Sequence, residues 1–177
     1  MTRATTRLRQ AMVPGPSFNL ADLLEIVADT LADRPALIAG ERRLTFAELD
    51  ERANRLGHVL LGIGARRGDH VGILSWNCAE WVESFFGCLK AGVVPINLNY
   101  RYTAKELRVV LEDCEAVAVV VHPGLDDLLA KADACREKKR LVLRIGDELE
   151  ALADEASSRR DFEARSGDDR YILYTGG

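Results

Sequence analysis

The stretch HVGILSWNCAEWVESFFGCLKAGVVPI, residues 70–96, holds the pattern that decides the fold. It opens on His70-Val71-Gly72-Ile73-Leu74, a short apolar run of strand length. Asn77, with Glu80 three residues on, has the spacing of a capped helix start. Behind it come Trp81, Val82, Phe85, Phe86 and Leu89, spread over an arc wide enough to predict cover on most sides. Gly92 closes the helix, and Val93 to Ile96 reads as a second strand that Pro95 keeps near an edge or a bend. Strand, crossover helix and strand in this order form the unit from which parallel sheets are built.

The same alternation extends both ways. Upstream, Asn19 caps a predicted helix with apolar positions Leu20, Leu23, Leu24, Val27 and Leu31, and Arg34-Pro35 stops it. Residues 36–39 and 42–44 read as short strands around a turn at Gly40-Glu41. Thr45 and Glu48 make a capping box for a helix whose stripe is Phe46, Leu49, Ala53, Leu56, Leu60 and Ile63, ended by Gly62 and Gly64. Downstream, Thr103 and Glu106 make another, followed by Leu107, Val110 and Leu111. Residues 116–121 are an uninterrupted apolar run, as in strands covered on both faces. A helix around residues 125–135 and a strand over 141–145 follow; residues 146–169 are polar and read as a short helix and a surface connection. The last element is the strand Tyr171-Ile172-Leu173-Tyr174. The expected fold class is therefore α/β, a mostly parallel sheet with flanking helices.

Composition narrows the function classes. The 177 residues are 47% hydrophobic and 29% charged, an ordinary globular balance. A formal net charge of -4 supplies no field for nucleic acid or an anionic membrane, so no nucleic-acid partner is expected. No run approaches the roughly 20 apolar residues of a membrane span. Residues 1–18 read as a flexible N-terminal extension without a secretory signal. Cys78, Cys88, Cys114 and Cys135 form no C-x-x-C pair and have no His at ligand spacing, so no metal site is expected, and reduced thiols in a cytoplasmic protein are the reading.

Several candidate motifs reduce to structure. Gly62-Ile63-Gly64-Ala65-Arg66-Arg67-Gly68 places its third glycine one residue too late for a dinucleotide fingerprint, and it follows a helix instead of a strand. His58, His70 and His122 are scattered, with no nucleophile at a suggestive spacing. Trp76 and Trp81 read as packing residues. Thr175-Gly176-Gly177 differs: a hydroxyl and bare glycine amides beyond a strand end suit phosphate oxygens.

In sequence order these segments resemble the adenylate-forming superfamily. Leu44-Thr45-Phe46-Ala47-Glu48-Leu49 with Arg52-Ala53-Asn54-Arg55-Leu56 resembles its opening motif. Leu89-Lys90-Ala91-Gly92-Val93-Val94-Pro95-Ile96-Asn97 is similar to its second signature, and Asn99-Tyr100-Arg101-Tyr102-Thr103 continues as in acyl-CoA synthetases. Tyr174-Thr175-Gly176-Gly177 looks like the first four residues of the phosphate loop Y-T-[SG]-G-T-T-G-x-P-K-G. Glycine in the third position, with Arg160-Asp161-Phe162 and Asp168-Asp169 before it, resembles actinobacterial CoA ligases for long-chain fatty acids or steroid side-chain acids.

The resemblance implies an AMP-forming acid–thiol ligase. ATP and a hydrophobic carboxylate give an acyl-adenylate, and coenzyme A then takes the acyl group, with Mg2+ assisting. Residues 19–177 are expected to be a partial AMP-binding domain, truncated as its phosphate loop begins. Only Thr175, Gly176 and Gly177 carry over as cofactor-binding residues; no catalytic or metal residue does. The chain alone is then expected to be inactive, to bind none of these cofactors tightly and to self-associate. The alternative is a stand-alone binding or regulatory module that pairs with a full-length synthetase.

Overall fold

The computed structural model describes residues 18–134 and 140–175. Helix α1 (Leu20–Thr30) leads into a hairpin of β1 (Pro35–Ala39) and β2 (Arg42–Thr45), and α2 (Phe46–Gly62) follows. Then come β3 (His70–Leu74), α3 (Ala79–Lys90), β4 (Val94–Leu98), α4 (Ala104–Asp113) and β5 (Ala118–Val121). The remainder is α5 (Asp126–Ala132), β6 (Leu141–Arg144), α6 (Asp147–Glu155) and β7 (Ile172–Leu173). The hairpin is a separate antiparallel pair; the main sheet has the order β6-β5-β3-β4-β7 with every ladder parallel.

Local chemistry explains the helix starts. Thr45 and Thr103 each accept from the amide three residues on, while Glu48 and Glu106 reach back to the cap amides. Asn19 forms the same reciprocal pair with Asp22. Residues that alternate along a strand face opposite ways. Val71, Ala118 and Val120 accordingly meet Leu56, Leu60, Cys88 and Leu149 from α2, α3 and α6. Leu74, Ile96, Val119 and Val121 meet Leu107, Leu111 and Leu129 from α4 and α5. The sheet is thus covered on both faces, as the apolar run in β5 requires.

Four sequence expectations need correction, while Pro95 lies near the sheet edge as expected. Helix α1 buries Ala21, Leu24 and Ala28, and leaves Leu20, Leu23 and Leu31 exposed, because its small residues allow the closer approach to the body. Helix α3 is capped by Cys78, not Asn77, and without a side-chain bond. On α3 the fully covered residues include Glu83, Ser84 and Lys90, whereas Trp81, Val82, Phe85 and Phe86 are only half-buried; ion pairs permit the buried charges.

Pro95 lies inside β4, one strand in from the β7 edge. The Val94 amide points at β3, so the nitrogen of Pro95 faces β7, whose pairing begins only at Ile96. The connection after α6 is pinned down rather than a loose surface run: Arg160 pairs with Asp29 and Asp50, Arg165 with Asp22 and Glu25, and Phe162 stacks on His58 at 4.4 Å. The expected extension over residues 1–17, the end of the helix around Cys135, and Gly176 and Gly177 lie outside the described residues.

Candidate functional site

All five strands of the main sheet point the same way, so their C-terminal ends form one edge. The chain leaves β3 through α3 toward β4, but leaves β5 through α5 toward β6, on the other side. The connections therefore diverge between β3 and β5, and open parallel sheets bind ligands outside such a switch point. Here the loops after Leu74 and Val121 meet. The rings of Trp76 and His122 lie 4.4 Å apart, and the Gly124 amide donates to His122 Nδ1 at 3.2 Å. A Cβ on Gly124 would come within 2.6 Å of the Trp76 ring, so the crevice is filled by an aromatic plug.

Further along this edge, Asn99 Oδ1 accepts from the Arg101 amide at 3.0 Å, and the Arg101 guanidinium lies 5.4 Å from the Tyr100 ring centre. At the far end β7 adds two residues to the sheet, Ile172 beside Ile96 and Leu173 beside Asn97. Ile172 and Tyr174 pack toward the α4 side, while the Tyr171 ring meets Phe85 of α3 at 5.7 Å. Thr175 follows, exposed, just beyond the strand end. Of the three sequence-predicted site residues, Thr175 is the one whose position is described.

Thr175 supplies one hydroxyl donor and one acceptor at the open edge. That chemistry fits a phosphate oxygen and supplies no proton acceptor strong enough for general-base work. Thiol nucleophiles are not available among the described cysteines. Burial raises the thiol pKa of Cys78, Cys88 and Cys114, which keeps each protonated and unreactive at neutral pH. No group of three or more metal-ligating side chains occurs among the described residues. The histidines take local roles: His58 Nε2 is 3.0 Å from the Arg159 carbonyl, and His70 Nδ1 is 2.5 Å from that of Cys114.

Two features escaped sequence reasoning. Tyr174 donates its hydroxyl to Asp113 Oδ2 at 2.5 Å, linking the end of β7 to the last turn of α4. Its hydroxyl pKa is pushed up, by burial first and by that carboxylate second. The other is a buried ionic seam. Lys90 Nζ, fully covered, lies 2.6 Å from Glu25 Oε1 and 2.7 Å from Asp50 Oδ1. Glu83, also fully covered, meets Arg52 at 2.9 Å; Arg42 Nη2 is 2.7 Å from its Oε1 but off the hydrogen-bond direction, so that contact is ionic only. Burial therefore outweighs both cations and leaves the Glu83 pKa raised. The lysine sat visibly in the Leu89-Lys90-Ala91-Gly92 signature, but its partners are distant in sequence.

A family model described as AMP-binding enzyme matches residues 24–177. The chain belongs to the AMP-binding enzyme family. Among its relatives, the 3-oxocholest-4-en-26-oate–CoA ligase of Rhodococcus rhodochrous is 38% identical over 173 residues, covering 91% of this chain and 31% of the relative. The medium/long-chain-fatty-acid–CoA/3-oxocholest-4-en-26-oate–CoA ligase of Mycobacterium marinum is 39% identical over 178 residues, covering 91% and 32%. An anthranilate CoA ligase solved with anthranoyl-AMP superposes with a TM-score of 0.86 at 28% identity, covering 92% of this chain and 32% of that one. A fatty acyl CoA synthetase of Mycobacterium tuberculosis gives 0.78 at 26% identity, covering 89% and 32%. The chain spans about a third of the length of the curated relatives it matches. It has the fold of the N-terminal portion of the adenylate-forming enzymes, as its AMP-binding family membership requires. No helix among its described residues is long and apolar enough to cross a membrane.

Proposed function

We propose that this AMP-binding chain serves ATP-dependent activation of a hydrophobic carboxylate, a fatty acid or a steroid side-chain acid, as an acyl-adenylate that coenzyme A then converts to a thioester in the cytoplasm. The observation that carries the reading is the position of Thr175, exposed at the C-terminal end of a parallel edge strand at the start of a Thr-Gly-Gly run. In this reading the Thr175 hydroxyl donates to a phosphate oxygen of ATP, and Gly176 and Gly177 let backbone amides approach the same group. The names of the relatives support the acid class: two ligases of about 38–39% identity act on steroid or medium- and long-chain fatty acids by their names. Mg2+ would belong with the triphosphate, where it would offset charge during adenylation; the described residues form no group of three or more metal-ligating side chains to hold it.

The test is pyrophosphate–ATP exchange with a panel of fatty and steroid side-chain acids. The full reading frame that contains the chain and the 177-residue chain alone are assayed side by side. Exchange by the former with hydrophobic acids, and none by the latter, is the expected result. No exchange by the former with any acid of the panel overturns the reading.

A further inference from the structure

Strand β7 is poorly held by the sheet for an element that carries the candidate site. Among the described residues, only Ile172 and Leu173 pair with β4, on one side, and no strand lies on the other side of β7. Two backbone pairs at an edge are a weak clamp on the direction in which a chain leaves a sheet. Side-chain contacts supply what the ladder lacks. Before the strand, Asp169 accepts from Asn19 Nδ2 at 3.0 Å and from the Ser166 amide at 2.9 Å, and pairs with Arg67. After it, the Tyr174 ring packs on the α4-side core and its hydroxyl reaches Asp113 Oδ2 at 2.5 Å. Thr175 is the next residue, exposed, and among the described residues its side chain has no hydrogen-bond partner.

We propose that Tyr174 and Asp113 form a latch that sets the direction of the chain at Thr175, making both of them positioning residues for the phosphate loop. The inference rests on the phosphate-binding reading of Thr175. A hydroxyl-to-carboxylate hydrogen bond is of the charge-assisted, short and directional kind. Tyr174 is adjacent to the loop, but its ring packs into the α4 side and its hydroxyl is engaged by Asp113. The latch therefore acts on the fraction of molecules whose loop is competent. A ligand that binds only the competent form has its apparent affinity lowered by that fraction. Losing the latch accordingly raises KM for ATP more than it lowers kcat.

Three substitutions test this in the full reading frame: Tyr174→Phe, Asp113→Ala and Asp113→Asn. Phenylalanine keeps the ring packing and removes the donor; asparagine keeps an acceptor at the same place. The expected result is a rise in KM for ATP by about tenfold to a hundredfold in Tyr174→Phe and Asp113→Ala, the scale of one charge-assisted hydrogen bond, with part of it restored in Asp113→Asn, whose neutral carbonyl accepts without the charge. KM for the carboxylate should hold steady. In parallel, amide relaxation at residues 173–175 should show order parameters falling from about 0.85 toward 0.6 in the first two variants. Unchanged order at these amides, or unchanged KM for ATP when order is lost, overturns the proposal. A parent protein with no exchange activity overturns the function proposed above, and the relaxation data still decide the latch on their own.

Discussion

Lys90 shows how a single residue can be read wrongly from sequence and still be placed in the right motif. On a helical projection it is a charge near the end of α3; in the structure its ammonium is enclosed by Glu25 and Asp50. Removing the cation takes one of two partners from each carboxylate, since Arg165 stays on Glu25 and Arg160 on Asp50, and a lost bond to a buried charged group costs about 1–3 kcal/mol. Lys90→Met should therefore lower the unfolding free energy by that order, read as a fall in the urea midpoint at constant slope, and an unchanged midpoint would show the seam to be dispensable. Glu25 links the seam to pH. Burial is the largest influence on its carboxyl and acts upward, but hydrogen bonds from Arg165 and Lys90, with their charges, prevail and hold its pKa below the usual value of 4.5. Its stabilisation is thus complete above that value and fades as pH falls through the lowered one. Glu25→Gln should flatten the acid limb of the stability curve, which melting temperatures across acidic pH would reveal. At the candidate site, Thr175→Ala should slow adenylation roughly tenfold to a hundredfold, about 1.5–3 kcal/mol for one charge-assisted hydrogen bond. Gly177→Val should cost more, because a side chain there blocks the backbone's approach to phosphate. Adenylation rates with circular dichroism check the order; equal rates in parent and both variants would remove Thr175 and Gly177 from the site.

The elements divide into those whose determinants are local and those whose determinants are not. Capping boxes need only residues three apart, so the starts of α2 and α4 were legible at Thr45 and Thr103. The apolar run of β5 announced its double cover in the same way. The start of α3 was not legible, since its cap, Cys78, makes no side-chain bond that composition could signal. Nor was the fate of residues 156–169, which hold no regular structure and depend on partners about a hundred residues away, Arg160 on Asp50 among them. The α2–α3 contact belongs to the same class. A Cβ on Gly87 would lie 3.0 Å from Leu56 Cβ and 3.1 Å from the Ala53 carbonyl; one on Gly57 would lie 2.9 Å from the Phe162 ring. Backbone and helix partners cannot yield, so Gly87→Ala should destabilise by about 1–3 kcal/mol through overpacking. Gly57→Ala meets a side chain as well, and its cost should shrink in a Phe162→Ala background. Chemical denaturation of the two singles and the double gives that coupling; strict additivity would mean that Phe162 does not restrain α2.

At the scale of the whole molecule, the order β6-β5-β3-β4-β7 places the start of the Thr-Gly-Gly run two strands away from the switch point. Strand alternation predicted the class, but not this order: sheet neighbours that are remote in sequence leave no mark on local periodicity. The order also fixes what the molecule exposes. Edge strand β7 leaves Leu173 56% and Tyr171 47% exposed, and the outer face of α1 leaves Leu23 49% and Ile26 50% exposed. An open strand edge beside large apolar side chains favours pairing with another chain, and an apolar helix face adds a second contact. The 177-residue chain on its own should therefore associate as its concentration rises, through β7 first, because an edge offers backbone bonds as well as apolar area. Leu173→Lys places a charge on that edge and should weaken association more than Ile26→Lys on the helix face. Sedimentation velocity over a concentration series distinguishes the two surfaces. A parent chain that stays monomeric throughout the series would refute the prediction; equal suppression by the two lysines would move the contact off the sheet edge and onto a surface that spans both.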